Sequence, residues 1–335
     1  MIVDEIADLR PGPGQVLAEP IACGICGSDL HTVDHAHDLV GAAKAAGIVS
    51  FTDGFDPDQD LVMGHELSVR IIGLGKGVQG IGEGDEFAAM PMLETPTGLA
   101  VPGYDNRFPG GYGEQMLLSP AALFAIPNGL DPALAALTEP MAVGLHAVNE
   151  SSITAGRAAL VVGAGPVGLA IVASLNAAGI EPIIAADFSP ARRRVAEMLG
   201  AHEVVDPAAG SIFDAWRAAT DGIEPPVVYE AVGVPGMIDS VMQDAPARTE
   251  IIVAGVCIPA DRFRPSLGIY KHLSLKFVLG WTPDEFAASL HNLAEGQIQG
   301  SVLITGEVGI DGVPQAFADL GDPDAHVKIL VRPNL

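Results

Sequence analysis

Cysteine is scarce in this chain: three residues in 335, Cys23, Cys26 and Cys257. A disulfide framework needs more than that, so a reducing, cytoplasmic setting is expected. Bases are scarce as well, 17 against 42 acids, which gives a net charge of −25. That balance excludes nucleic-acid backbones and anionic membrane surfaces as partners and leaves a solvated acidic exterior. Charge of either sign is limited to 18% of residues, against 49% hydrophobic. Such a composition buries a sizeable core and is not that of a disordered chain. The opening Met1-Ile2-Val3-Asp4-Glu5 lacks the basic start and apolar run of a signal peptide. Residues 158–180 carry no charge, but Gly163, Gly165, Pro166, Gly168 and Asn176 interrupt them. A buried strand, a turn and a buried helix are expected there, not a membrane span.

Up to about residue 129 the chain reads as short strands and turns punctuated by Gly and Pro. A short helix is expected at 42–46, and a loop carrying Asp53, Asp56, Asp58 and Asp60 after it. From Asp131 the pattern turns helical over 132–149, with Asp131 as cap and Pro132 at the first position. Strands at 159–162, 182–186, 204–205, 227–230 and 251–254 then alternate with helices at 167–178 and 191–199. That alternation predicts an α/β fold with a doubly wound parallel sheet. A strand at 273–279, a helix at 283–295 and a strand at 327–331 complete the chain.

The turn after the first of these strands is Gly163-Ala164-Gly165-Pro166-Val167-Gly168. Gly163 permits the tight turn, Gly165 lets a pyrophosphate approach, and Gly168 lets the helix pack closely on the sheet. The helix N-terminus offers free N–H groups to the phosphates. Asp187 closes the next strand, where an acid would hold adenosine ribose hydroxyls and disfavour a 2′-phosphate. This predicts NAD, with NADP less favoured. Pro166, Val167, Arg192, Val232 and Gly255 are further candidate cofactor contacts.

Two other strings carry a different chemistry: Cys23-Gly24-Ile25-Cys26-Gly27-Ser28-Asp29-Leu30-His31 and Gly64-His65-Glu66. A C-x-x-C pair suits a redox motif or half of a structural zinc site. A redox pair normally opens a helix, which Gly24 and Gly27 disfavour, and a structural site needs a second pair that the sequence lacks. Cys26 with His65 fits a catalytic zinc site with an open position. The third protein ligand is Glu66 or Glu139, the latter in Thr138-Glu139-Pro140. The remaining carboxylate would bond the bound water or exchange with the ligand.

Together with Gly82-Glu83-Gly84-Asp85, Glu139-Pro140 and His326-Val327-Lys328-Ile329-Leu330-Val331, these strings resemble the zinc-dependent medium-chain dehydrogenase/reductase family. Glu139-Pro140 is most similar to its polyol, butanediol and threonine dehydrogenase branch. The resemblance implies a GroES-like, mainly-β catalytic domain split around a Rossmann domain, over residues 1–129 and 266–335 against 130–265. It implies hydride transfer between NAD(H) and an alcohol/ketone pair, a secondary alcohol, diol or polyol. Cys26 and His65 fall on zinc ligands, Ser28 on the hydroxyl that takes the substrate proton, and His31 on the end of the relay. Glu66 is counted with these catalytic residues. A homodimer or homotetramer is also implied. The family's four-cysteine lobe is missing from residues 90–113, so one catalytic zinc and no structural zinc is expected. The interval between Cys26 and His65 is also long, which points to an insertion at about 35–58. A zinc-free quinone or enoyl reductase of the same fold is the alternative, as is a non-catalytic nucleotide-binding protein.

Overall fold

Strand β1 (Val16–Gly24) shows the alternation expected of a half-buried strand up to Pro20, then runs buried from Ala22 to Gly24. It pairs antiparallel with β2 (Glu66–Leu74), bringing Cys23 opposite Leu67 and Gly24 opposite Glu66. Gly24 has to be glycine, because a Cβ there would stand 1.8 Å from the Glu66 carboxylate. These two strands place both chemistry-bearing strings at one end of a sheet. The computed structural model describes residues 1–48 and 54–335, and the chain divides into two compact units. Asp53 and part of the expected insertion lie outside the described residues.

The first unit comprises residues 1–139, 304–322 and 328–335. After β1 comes helix α1 (Gly27–Ala46), kinked at His35. It is far longer than the helix expected at 42–46. The rest of the β-rich stretch holds β2, β3 (Glu86–Ala89), the hairpin β4 (Leu93–Thr95) and β5 (Gly98–Ala100), then β6 (Met116–Leu118) and β7 (Leu123–Ala125). Helix α2 (Pro132–Ala135) begins as predicted, with the Asp131 side chain accepting from the Ala133 N–H and Pro132 at its first position. It does not run through to residue 149. A second helix, α3 (Thr138–Asn149), starts after a break where the Thr138 hydroxyl donates to the Ala135 carbonyl.

In the second unit, residues 140–303 and 323–327, the expected alternation is present. It runs β8 (Ala159–Val162), α4 (Pro166–Ala177), β9 (Ile183–Ala186), α5 (Pro190–Met198), β10 (Glu203–Val205), α6 (Ile212–Thr220), β11 (Val227–Glu230), α7 (Met237–Asp244), β12 (Glu250–Val253), α8 (Pro265–Lys271), β13 (Ser274–Phe277) and α9 (Pro283–Ala294). The strands form a parallel sheet in the order β10-β9-β8-β11-β12-β13. This is the doubly wound order, with its switch point between β8 and β11. The uncharged residues 158–180 supply β8 and α4 at the centre of this unit, and among the described residues no helix is long and apolar enough to cross a membrane.

Two boundaries are corrected. Residues 266–303 were expected in the β-rich domain, but β13 pairs with β12 as the sixth strand of the parallel sheet. Periodicity identifies such a strand and cannot say which sheet it joins. The first break falls after Glu139 rather than at residue 129. The chain then returns to the first unit with β14 (Ile304–Val308), α10 (Val313–Asp319) and β15 (Lys328–Val331). The sheet of that unit has the order β14-β15-β1-β2-β3-β7, and β6 also pairs with β1. Its core joins Val16, Ile25, Leu67, Val69, Met116 and Leu118 to Val313, Ile329 and Val331.

Candidate active site

Cys26 is the N-cap of α1, and its N–H donates to the Asp29 carboxylate at 2.9 Å. A helix therefore does open at the C-x-x-C pair, against the expectation drawn from Gly24 and Gly27. What separates the two cysteines is burial: Cys23 lies on β1 inside the core, while Cys26 is partly exposed at the helix start. His65 and Glu66 sit at the head of β2. Gly64 before them has φ +106°, and a Cβ there would stand 2.8 Å from the Tyr112 backbone nitrogen. Only glycine serves at that position.

One ligand atom each from Cys26, His65 and Glu66 lies within 4.8 Å of the others. Thiolate, imidazole and carboxylate are the donor set zinc takes in sites that keep an open position, so the residues present fit the metal. Glu139 is outside this group. It is buried at the start of α3.

Around the three donors is a second layer, in which Ser28 and His31 were expected from the sequence and Asp29, Tyr104, Tyr112 and Lys328 were not. Asp29, fully buried, faces His65 Nδ1 at 3.3 Å and accepts from the Tyr112 hydroxyl at 2.7 Å. Burial works against its charge, but His65, Tyr112 and the Cys26 N–H outweigh that and hold its pKa below the usual value. A carboxylate in that place fixes the tautomer and ring orientation of a metal-binding histidine. Lys328 donates to both oxygens of Glu66, at 2.6 and 2.8 Å, and to the Ile25 carbonyl at 3.0 Å. Burial alone would lower the lysine pKa, yet the Glu66 carboxylate and, among others, Glu139 raise it. Ser28 Oγ lies 3.4 Å from His65 Nε2 and accepts from the Tyr104 hydroxyl at 2.8 Å. His31 lies one turn further along α1, its ring 6.5 Å from that of His35. His37 stands 3.3 Å from Asp58, both on the surface.

In the second unit the glycine turn takes the conformation its sequence requires. Gly163 has φ +94°, and a Cβ on Gly168 would stand 1.8 Å from the Gly163 carbonyl. A Cβ on Gly165 would meet nothing nearer than Arg192 Nη1 at 4.0 Å, so that side of the turn is open. Gly165 caps α4 without a side-chain bond, and Pro166 and Val167 open the helix. Free N–H groups beside an open glycine fit a pyrophosphate. Asp187 follows β9 directly, its carboxylate accepting from the Ala164 and Ser189 N–H groups at 2.8 Å each. Arg193 instead donates to the Asp187 and Phe188 carbonyls. Val232 and Gly255 follow β11 and β12, and Glu230 joins them. Its side chain accepts from the Val232 N–H at 2.8 Å and its carbonyl from the Gly255 N–H at 2.9 Å. Glu230 too went unnoticed in the sequence.

Residues 12–128 match the alcohol dehydrogenase GroES-like domain, and residues 166–295 match the zinc-binding dehydrogenase family. The chain is similar to the (R,R)-butanediol dehydrogenase of Bacillus subtilis (strain 168), 30% identical over 341 residues that cover 99% of this chain and 96% of that one. The crystal structure of 2R,3R-butanediol dehydrogenase from Bacillus subtilis superposes with a TM-score of 0.82 at 29% identity, covering 99% and 96% of the two chains. A zinc-binding dehydrogenase structure from Sinorhizobium meliloti 1021 bound to NADP gives 0.80 at 26% identity, covering 98% and 94%. With a GroES-like domain, a six-stranded Rossmann sheet and the Cys26, His65, Glu66 group in place, this chain belongs to the zinc-binding medium-chain alcohol dehydrogenase family.

Proposed function

We propose that this enzyme transfers a hydride between NAD(H) and an alcohol/ketone pair whose alcohol is a diol or polyol. The observation that carries the reading is the convergence of Cys26, His65 and Glu66 within 4.8 Å, with the Ser28 hydroxyl beside His65. The butanediol dehydrogenase relative supports the diol class. A zinc-free quinone or enoyl reductase has no use for such a donor set, and a binding module has none for the hydroxyl.

In this reading Cys26, His65 and Glu66 hold one zinc ion. When bound, zinc supplies Lewis-acid polarisation of the alcohol oxygen and lowers its pKa. Ser28 accepts the substrate proton at Oγ and passes its own on, and His31 delivers a proton to solvent. Glu139, buried at the start of α3 and acting on Lys328 by its charge, takes the outer carboxylate place. The open turn at Gly165 and the N-terminus of α4 hold the pyrophosphate. Asp187 keeps lone pairs free beyond its two N–H partners and takes the adenosine ribose, which favours NAD over NADP. Arg192, Val232 and Gly255 complete the cofactor contacts. NAD, when bound, accepts the hydride.

A homodimer through the edge strand β13 is part of the same proposal. Among the described residues β13 pairs with β12 alone, and Phe277, Leu279, Ile269 and Tyr270 in and beside it are exposed. An open apolar edge is a template for a second copy.

The deciding experiment is metal analysis of the purified protein and its Cys26→Ala variant, with oxidation of diols and polyols by NAD. One zinc per chain with diol turnover, both lost in Cys26→Ala while NAD binding persists, supports the reading. Full turnover of Cys26→Ala overturns it.

A further inference from the structure

We infer that Tyr104 is a positioning residue for the proton step, held against Ser28 by a polar clasp that takes the place of the missing cysteine lobe. The inference rests on the reading of Ser28 given above.

Tyr104 is 7% exposed, and its ring lies 5.1 Å from that of His65 at an angle of 40°. Its hydroxyl donates to Ser28 Oγ at 2.8 Å. A serine hydroxyl has one proton and two acceptor sites. With Tyr104 filling one acceptor site, Ser28 has one left for an incoming substrate hydroxyl. Its own proton is then directed elsewhere, to the next acceptor. A donor on Oγ also stabilises negative charge there as the proton leaves.

The segment that carries Tyr104 is rich in glycine, has no helix or long strand, and contains no cysteine. Asn106 secures it. Its carbonyl oxygen accepts from the Asp56 N–H at 2.7 Å, and its amide nitrogen shares its two protons among the carbonyls of Asp56, Gln59 and Asp60 at 3.2, 3.3 and 3.0 Å. The Asn106 N–H donates to the Gly54 carbonyl at 2.9 Å. Thus residues 54–60, in the long interval between Cys26 and His65, are tied to the stretch that lacks the cysteines. The two departures from the family pattern form one device. On its other side the segment lies on the backbone before His65, with Gly111 and Tyr112 donating to Gly64 and Met63 at 2.9 and 3.0 Å.

The test is Tyr104→Phe, which removes one oxygen and keeps the ring, with and without Ser28→Ala. In Tyr104→Phe, kcat falls about tenfold, KM for the diol and zinc content stay near the parent values, and the solvent deuterium isotope effect on kcat rises. Added to Ser28→Ala, the same change costs nothing further, because Tyr104 acts through Ser28. Unchanged kcat and isotope effect in Tyr104→Phe, or an undiminished loss on top of Ser28→Ala, overturns the role of Tyr104. Ser28→Ala as active as the parent removes the Ser28 reading itself, which is a separate failure.

Discussion

Glu66 and Lys328 are the most exposed to a single substitution. The pair is fully buried, and all three ammonium protons are used, two on the carboxylate and one on the Ile25 carbonyl. A buried pair of this kind contributes little over an apolar equivalent, but removing one partner strands the other charge. Measured on the metal-free protein, where no ion offsets the Glu66 charge, Lys328→Met should therefore cost about 3–5 kcal/mol in urea unfolding of the β-rich unit, and Glu66→Gln added to it should recover part of that loss. A loss of under about 1 kcal/mol would mean that Glu66 takes up a proton or finds another partner. Cys26 and His65 were readable from sequence because each sits in a short string whose residue types already name the chemistry. Lys328 stood in such a string without a role, since its partner lies 262 residues away. Tyr104 and Tyr112 carried one weak signal. The chain has only four tyrosines, and two of them fall in a Gly- and Pro-rich stretch.

Among elements, the parallel sheet was legible almost strand by strand. Strands buried on both faces read as continuous apolar runs, and the glycine turn fixes where the first one ends. Assignment failed where tertiary pairing decides, even at the edge of that sheet. β13 was visible as a strand and was assigned to the other unit, and α1 was read as five residues because polar and charged side chains fill its middle. β13 also yields a prediction of its own. If its edge pairs antiparallel with the same strand of a second copy, closing a twofold interface, light scattering should give at least twice the chain mass of 34.4 kDa. Phe277→Asp with Leu279→Asp should then halve it without loss of zinc. A parent protein that is monomeric at micromolar concentration would rule the interface out.

At the scale of the whole molecule, two cores stand behind two kinds of ligand. One core gathers around Val16, Leu67, Met116 and Val331, on the unit that bears Cys26, His65 and Glu66. The other gathers around Leu160, Ile184, Val228 and Ile251, on the unit that bears the glycine turn. A ligand that binds only the folded form stabilises what it binds, by about 2.7 kcal/mol at a hundredfold excess over its Kd. Metal sites with a thiolate ligand couple to folding in the same way. Removing zinc with a chelator should therefore lower the unfolding transition of the first unit, and adding NAD should raise that of the second. Hydrogen exchange resolves the two, because amides of β1, β2 and β15 report one core and those of β8, β9 and β11 the other. The chelator should speed exchange in the first set, and NAD should slow it in the second. Equal responses of both sets to the chelator would show that the metal stabilises the chain as one cooperative body, and the separate roles assigned to the two units would then fail.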